Sequence, residues 1–355
     1  MTDKPRRPTM DDVAARAGVS RALVSLVVRG SPKVSEKRRE AVLKAAKELG
    51  YRPNAAARSL AERRSNTVGV VINDLHNPFF ADVMDGIHAE AEEADYRLLL
   101  NSARRSDDLE ARAVESFMEY RVDAVILVGT RLESGALAEF AKQTPLVAVG
   151  AEPDGVDSVT NDDERGGELV AHHLIELGHT ALAHIDGGTG AGSSRRRRGF
   201  VAACEEHGLA PVVVAGDHSE ASGVRAVEEL LQLQSLPSAL FASNDVVAVA
   251  AIDRLEDAGL QVPDDISVVG YDNTTLAALK HIALTTVHQP RTEMGRTAMR
   301  CAMERIDGGR RAAVGHVLDP ELIVRSTTAA ATVDLHPVTS RTDRPTRSAR
   351  KKKSP

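Results

Sequence analysis

This chain has no apolar run near the ~18 residues that a transmembrane helix needs. Its first residues, MTDKPRRPTMDDV, carry no apolar core of the kind a secretory signal has, so a cytoplasmic protein is expected. Cysteine is nearly missing. Cys204 and Cys301 lack metal-ligand spacing and read as packing residues of a reducing compartment. The histidines are scattered. His172 and His173, neighbours on a helix, point ~100° apart and cannot share a metal. The glycine-rich stretch Asp186–Gly192 falls short of a dinucleotide loop, because Ser193 stands where G-x-G-x-x-G needs its third glycine. No Gly-Lys-Ser/Thr comes after it, and it reads as a mobile loop beside a ligand cleft. No nucleophile–base arrangement is legible. Metal, cofactor and enzymatic activity are therefore not expected.

What is present points elsewhere. With 42% apolar and 27% charged residues the chain has material for a real core, and 355 residues leave room for two or three domains. Its charge divides by region. Residues 1–66 hold 16 basic and 7 acidic side chains, residues 67–340 hold 22 and 43, and residues 341–355 hold 7 and 1. A basic head on an acidic body is the footprint of a protein that touches nucleic acid at one end. The basic end, residues 336–355, reads as disordered and contains no leucine heptads.

The head predicts two short helices hinged on Gly18-Val19-Ser20, the layout of a helix-turn-helix. Thr9 is the expected N-cap of the first, with Asp11 and Asp12 favoured by the helix dipole. Ser20 caps the second. There Val24, Val27 and Val28 follow i, i+3, i+4 and must face a core. That leaves Ala22, Ser25, Leu26 and Arg29 for the major groove, with Arg21 at the edge. Arg21 suits two-pronged reading of guanine or a phosphate contact. Ser25 and Arg29 suit phosphates, and Ala22 or Leu26 a thymine methyl. Ser35 is expected to cap a third helix with Ala41, Val42, Ala45, Ala46 and Leu49 as its apolar stripe, ended by Gly50. After Tyr51-Arg52-Pro53, the segment Asn54–Ala61 reads either as a linker or as a helix too short to stand alone, ordering only on a partner. In the second case Leu60 protrudes as an apolar wedge for the minor groove.

DVAxxAGVS at Asp12–Ser20, VS at Val24-Ser25, YRPN at Tyr51–Asn54 and ARSLA at Ala57–Ala61 resemble the head of the LacI/GalR family of bacterial transcription regulators. The resemblance implies that Asn54–Ala61, with Arg58, is a hinge helix. It implies that Leu60 wedges into the central step of a palindromic operator opposite its twin in a homodimer, with Ala61 beside it. Leu23, Leu26 and Arg29 depart from the residues common at those places, so no relative's operator sequence is implied.

From Thr67 the chain alternates strand and helix. Strands are expected at Val68–Ile72, Leu98–Leu100, Ala124–Val128, Leu146–Val149, Ala181–Ile185, Ala239–Ala242 and Ser267–Gly270. Helices are expected at 81–94, 109–119, 167–177, 200–207, 224–233 and 246–258. This rhythm predicts parallel sheets flanked by helices, with ligands beyond the carboxyl ends of strands. Those ends carry Asn73-Asp74, Asn101, Gly150, Asp186-Gly187, Asn244-Asp245 and Tyr271-Asp272. HNPFFADVMDGI, HLIELGHTALAHI, ASNDVVAVAAI, VPDDISVVGYDN and LTTVHQP extend the resemblance over residues 9–330.

It implies an all-α helix-turn-helix head (1–53), a hinge helix and linker (54–66) and a ligand-binding and dimerisation body (67–335). The body is expected to be an α/β periplasmic-binding-protein-like module of two doubly wound lobes. Crossings between the lobes are expected near Asp162, Pro290 and Asp319. Phe79, Phe80, Arg196, Asn244, Asp272 and Gln289 are the implied cleft residues, suited to a small polar effector such as a sugar. Thr9, Ser20 and Tyr51 join the DNA-facing set. The implied protein is an allosteric repressor. A sugar-capturing protein with an incidental head is the rival, and the basic head weighs against it.

Overall fold

The computed structural model describes residues 8–28, 30–52 and 64–331. The boundary between its two compact units falls between Asn66 and Thr67. Among the described residues no helix is long and apolar enough to cross a membrane.

The first unit is helical: α1 (Met10–Ala17), α2 (Arg21–Val28) and α3 (Glu36–Leu49). Thr9 and Asp12 form a reciprocal capping box at the start of α1. Gly18, at φ 67°, ends that helix in the left-handed region and turns the chain into α2. Val13, Ala14, Val24, Val27, Val34, Val42 and Ala45 close a small core. Three expectations change here. Ala41 lies outside the apolar stripe and is exposed. Ser35 stands at the N-cap of α3, but its side chain makes no capping bond. Leu26 is half-buried and packs against the head core rather than standing free on the opposite face. A leucine between two core valines gains more by covering them than by facing water.

The second unit carries two sheets. Into the first go β1 (Thr67–Ile72), β2 (Arg97–Ser102), β3 (Ala124–Val128), β4 (Leu146–Val149) and β5 (Asp157–Asn161). Between them run α4 (Pro78–Glu93), α5 (Asp107–Glu119) and α6 (Ser134–Ala141). The chain then crosses at Asp162 into α7 (Asp163–Glu176), β6 (Leu182–Ile185), α8 (Ser193–Glu206), β7 (Val212–Val214), α9 (Glu220–Leu230), β8 (Ala239–Ala242), α10 (Asp245–Asp257), β9 (Ser267–Asp272) and β10 (Thr285–His288). After Pro290 it returns as α11 (Arg291–Ile306), which buries Met294, Ala298 and Met299 against the first sheet. β11 (Gly315–Leu318) completes that sheet, and β12 (Glu321–Ile323) the second.

The strand orders are β11-β5-β4-β3-β1-β2 and β12-β10-β9-β8-β6-β7, parallel except for β12. The three crossings fall where the sequence puts them. β5, β7, β10, β11, β12, α6 and α11 lie beyond the strands and helices expected from periodicity. Polar strands such as DSVTN and TTVH lack an apolar run, and α11 mixes its buried methionines with arginines. β2 is an outer strand, so Leu99 and Leu100 are exposed rather than buried.

One close approach shapes the cleft. α7 and α8 cross with Gly167 and Gly199 at the contact. A Cβ on Gly199 would lie 1.9 Å from the Glu164 carbonyl oxygen, and one on Gly167 2.2 Å from that of Arg196. Only hydrogen fits there, and this proximity brings the first turns of the two helices side chain to side chain.

Candidate effector cleft and nucleic-acid face

Between the lobes of the second unit lies a space of about 690 Å³, its open mouth included. All six expected cleft residues line it. Asn77 caps α4 by accepting from the Phe79 amide at 2.9 Å, which sets Phe79 and Phe80 at the mouth of β1. Their rings meet edge to face, with centroids 5.3 Å apart.

Arg196 sits in the first turn of α8 and is only 5% exposed. Its Nε donates to Asp163 Oδ1 at 2.8 Å and its Nη1 to the Ser243 carbonyl at 2.8 Å. Its guanidinium lies 3.8 Å from the centre of the Tyr271 ring. Burial works against its charge, but Asp163, Tyr271 and Asp272 more than offset this and move its pKa upward.

Asp272 ends β9 with φ 107°, a backbone conformation that a side chain adopts only under constraint. Its Oδ1 accepts from Gln289 Nε2 at 2.6 Å, and its carbonyl accepts from Arg291. Burial pushes its carboxyl up from the ordinary range, with Arg196 opposing and Asp245 adding to the shift. Asn244 has a double duty. Its Oδ1 caps α10 by accepting from the Val247 amide at 2.8 Å, and its Nδ2 donates to the His218 carbonyl at 3.2 Å.

The structure adds residues to the expected six, Asn73 among them from the strand ends already marked in the sequence. Asp163 partners Arg196. His218, at φ 65°, contacts Ser193 Oγ through Nε2 at 2.7 Å. His218 Nδ1 and Asn73 Oδ1 are buried with no hydrogen-bond partner in the protein, and both residues line the cleft. Buried polar atoms are rarely left so. Arg105 reaches across the mouth to Asp217, with one contact at 3.6 Å. At the start of the glycine-rich loop, Asp186 accepts from the Gly187 amide and from Arg197, each at 2.8 Å. Among the described residues no cluster of three or more His, Cys, Asp or Glu side chains could hold a metal.

In the first unit, Ala22 and Arg21 are exposed, and Arg21 has Asp11 at 3.8 Å as its ion-pair neighbour. The Thr9 hydroxyl donates to Asp12 at 2.8 Å, so its proton is committed to the cap. Ser20 Oγ accepts from the Leu23 amide at 3.2 Å. Ser25 is half-buried. Tyr51 packs on the head core, and burial raises its phenol pKa, with Arg21 opposing. Arg29, Asn54, Arg58, Leu60 and Ala61 lie outside the described residues, as do residues 332–355.

A helix-turn-helix unit and a two-lobed body with a polar cleft define a DNA-binding regulator that answers to a small molecule. Residues 9–54 match the bacterial regulatory proteins of the lacI family, and residues 171–328 match a periplasmic binding protein-like domain. The HTH-type transcriptional repressor PurR of Aliivibrio salmonicida is 34% identical over 89% of this chain and 98% of its own. The lac repressor dimer bound to operator and the anti-inducer ONPF superposes with a TM-score of 0.83 at 28% identity, covering 92% of this chain and 100% of that one. The CelR–cellobiose complex gives 0.68 at 33% identity, covering 90% and 100%. The chain belongs to the LacI family and is a ligand-responsive, DNA-binding transcriptional regulator of the repressor kind.

Two consequences are measurable. Arg196→Ala leaves Asp163 buried without its cation, so the body loses about 3–5 kcal/mol, read by urea unfolding. A loss under about 1 kcal/mol would contradict that role. Burial also holds His218 neutral in the folded body down to about 3, against 6.5 for a free imidazole. Between those values the unfolded chain binds a proton that the folded one refuses, so this group's stability contribution is present above pH 6.5 and lost as pH falls. His218→Gln should therefore lose less melting temperature than the parent between about pH 7 and pH 5. Parallel losses in the two proteins would refute it.

Proposed function

We propose that this regulator is a homodimeric repressor whose interlobe cleft takes a small polar effector, a sugar or sugar-like metabolite, and thereby switches a hinge on operator DNA. The observation that supports the effector half is the convergence of Asn73, His218, Arg196 and Asp272 on one cleft with Phe79 and Phe80. Polar side chains of this kind suit hydroxyl groups, and the faces of Phe79 and Phe80 suit the apolar side of a pyranose. The CelR structure is a complex with cellobiose, which supports a carbohydrate effector for this chain.

In this reading Phe79, Phe80, Arg196, Asn244, Asp272 and Gln289 bind the effector, and the chain acts by binding rather than by catalysis. Residues 1–53 read DNA through Arg21, Ala22, Ser25 and Arg29. Thr9, Ser20 and Tyr51 sit at the edge of that face. Residues 54–66 form the hinge, with Asn54, Arg58, Leu60 and Ala61 toward the minor groove. Residues 67–335 bind effector and dimerise, and residues 336–355 are a basic tail. Its place of action is the cytoplasm, where the operator lies.

Each sheet ends in an outer strand that exposes apolar side chains, Leu99 and Leu100 on β2 and Val212 and Val213 on β7. Uncovered strand edges of this kind invite pairing, and a second copy that covers them gives a two-fold dimer. The effector closes the lobes because it binds the closed arrangement more tightly, and the hinge reports that closure.

The experiment is a nuclease footprint on the DNA upstream of the gene, with and without sugars. A protected palindrome is expected, and its absence under every condition would sink the regulator reading for that site. Leu60→Ala should weaken specific operator binding on the order of ten-fold or more, with the fold intact and DNA bending reduced. Unchanged bending would count against the wedge. Leu100→Lys combined with Val213→Lys should shift the sedimentation equilibrium from dimer to monomer. A dimer that persists would place the interface elsewhere.

A further inference from the structure

Arg21 opens α2, and Asp11 stands in the first turn of α1. One core holds both helices: Met10, Val13 and Val24 all pack into it. The two backbones are therefore fixed against each other, while the side chains of Arg21 and Asp11 face water, 70% and 69% exposed. Asp11 Oδ1 comes to 3.8 Å from the arginine, and the atom it approaches is Nε. The helix cap does not use this carboxylate, because the capping box is made by Asp12. The helix dipole favours an acid here, but Asp12 already supplies one in the same turn.

An ion pair so open to water adds little to the stability of the fold. Its consequence lies in which donors of Arg21 stay free. A guanidinium carries five N–H donors in a planar fork. A carboxylate on the Nε side leaves Nη1 and Nη2, and two donors side by side are what the O6 and N7 acceptors of guanine take. The same carboxylate works against a phosphate partner. A phosphate gripped by Arg21 would stand well inside the Debye length, ~10 Å at 0.1 M salt, from Asp11, and two anions would share one cation. The edges of the bases carry no net charge. General attraction to the polyanion is available elsewhere on the unit, from the exposed Lys33, Lys37, Arg38 and Lys44.

We infer that Asp11 is a specificity-determining residue: it holds Arg21 by the Nε side, presents the two terminal amino groups to a guanine in the major groove, and turns the arginine away from phosphates. Guanine and phosphate both suit an arginine, and Asp11 selects between them. The couple is neutral, so it adds discrimination between sequences rather than general affinity for DNA. It rests on the proposed reading face, with the first turn of α2 in the groove.

The test starts with the full chain selecting sites from random-sequence duplex DNA. Binding to the selected site and to a scrambled duplex is then followed by fluorescence anisotropy over a range of potassium chloride concentrations. The parent is expected to select one guanine at the same place in each half-site. Arg21→Ala should accept any base there and lose about ten-fold or more on the selected site. Asp11→Asn keeps the shape and removes the charge. It should lose most of the preference for that guanine and bind the scrambled duplex more tightly. Its slope of log K against log salt should steepen by about 0.9 per head, as Arg21 turns to a phosphate. The double variant removes a neutral couple and should keep the parent's affinity and slope on the scrambled duplex. If Asp11→Asn retains the guanine and both affinities, Asp11 is a bystander and the inference is wrong, whatever Arg21 reads. If Arg21→Ala weakens both duplexes alike and selects the parent's sequence, Arg21 holds a phosphate and the inference is equally wrong. If Arg21→Ala alters neither selection nor affinity, the first turn of α2 does not meet DNA, and the proposed reading face falls there as well.

Discussion

The organisation of the body depends on one buried ion pair. Arg196 and Asp163 are 5% and 3% exposed, so neither charge is tolerable there without the other. Asp163 is the first residue of α7, just after the chain crosses between the lobes. Arg196 lies in the first turn of α8. The guanidinium also binds the carbonyl of Ser243, beyond β8, and covers the ring of Tyr271, on β9. A crossing segment, two helices and two strand ends thus meet at one cation. Their approach is possible because Gly167 and Gly199 let the two helices touch backbone to backbone. The cleft is therefore rigid on this side.

The charges that join the lobes are of another kind. In Arg105–Asp217 the two side chains are 28% and 53% exposed, and in Arg195–Glu152 they are 38% and 31% exposed. Pairs open to water contribute about 0–1 kcal/mol each. Driving a two-state element from one side to the other takes about 5.5 kcal/mol of differential binding. These bridges supply far less than that, so they do not by themselves lock the lobes together. A stiff anchor on one lobe and weak ties across the mouth are what a responsive cleft requires.

Much of this was legible in the residues. The framework of the head follows from caps and glycines: Thr9 with Asp12, Gly18, and the valines of α2 are local features that local rules describe. The six expected cleft residues do line one space, because in parallel α/β sheets the strand ends gather there. Other parts were not legible. His218 and Asp163 carry no motif, and their importance arises from partners far away in sequence. Leu26 and Ala41 changed faces because helical periodicity gives a stripe but not its edges. α11 and β10 escaped because their apolar residues are few and spaced among polar ones.

The division between sequence and fold has a physical basis. Sequence alone determined what depends on neighbours within a few residues: where helices start and stop, which strands alternate with which helices, where charge gathers, and a resemblance strong enough to place the family. Only the tertiary structure decided that Asp163 neutralises Arg196, that Asn244 serves a helix cap, and that Asn73 and His218 line the cleft. Those facts depend on distances between residues tens to hundreds of positions apart, and such distances exist only once the lobes have folded and the crossings have brought them together.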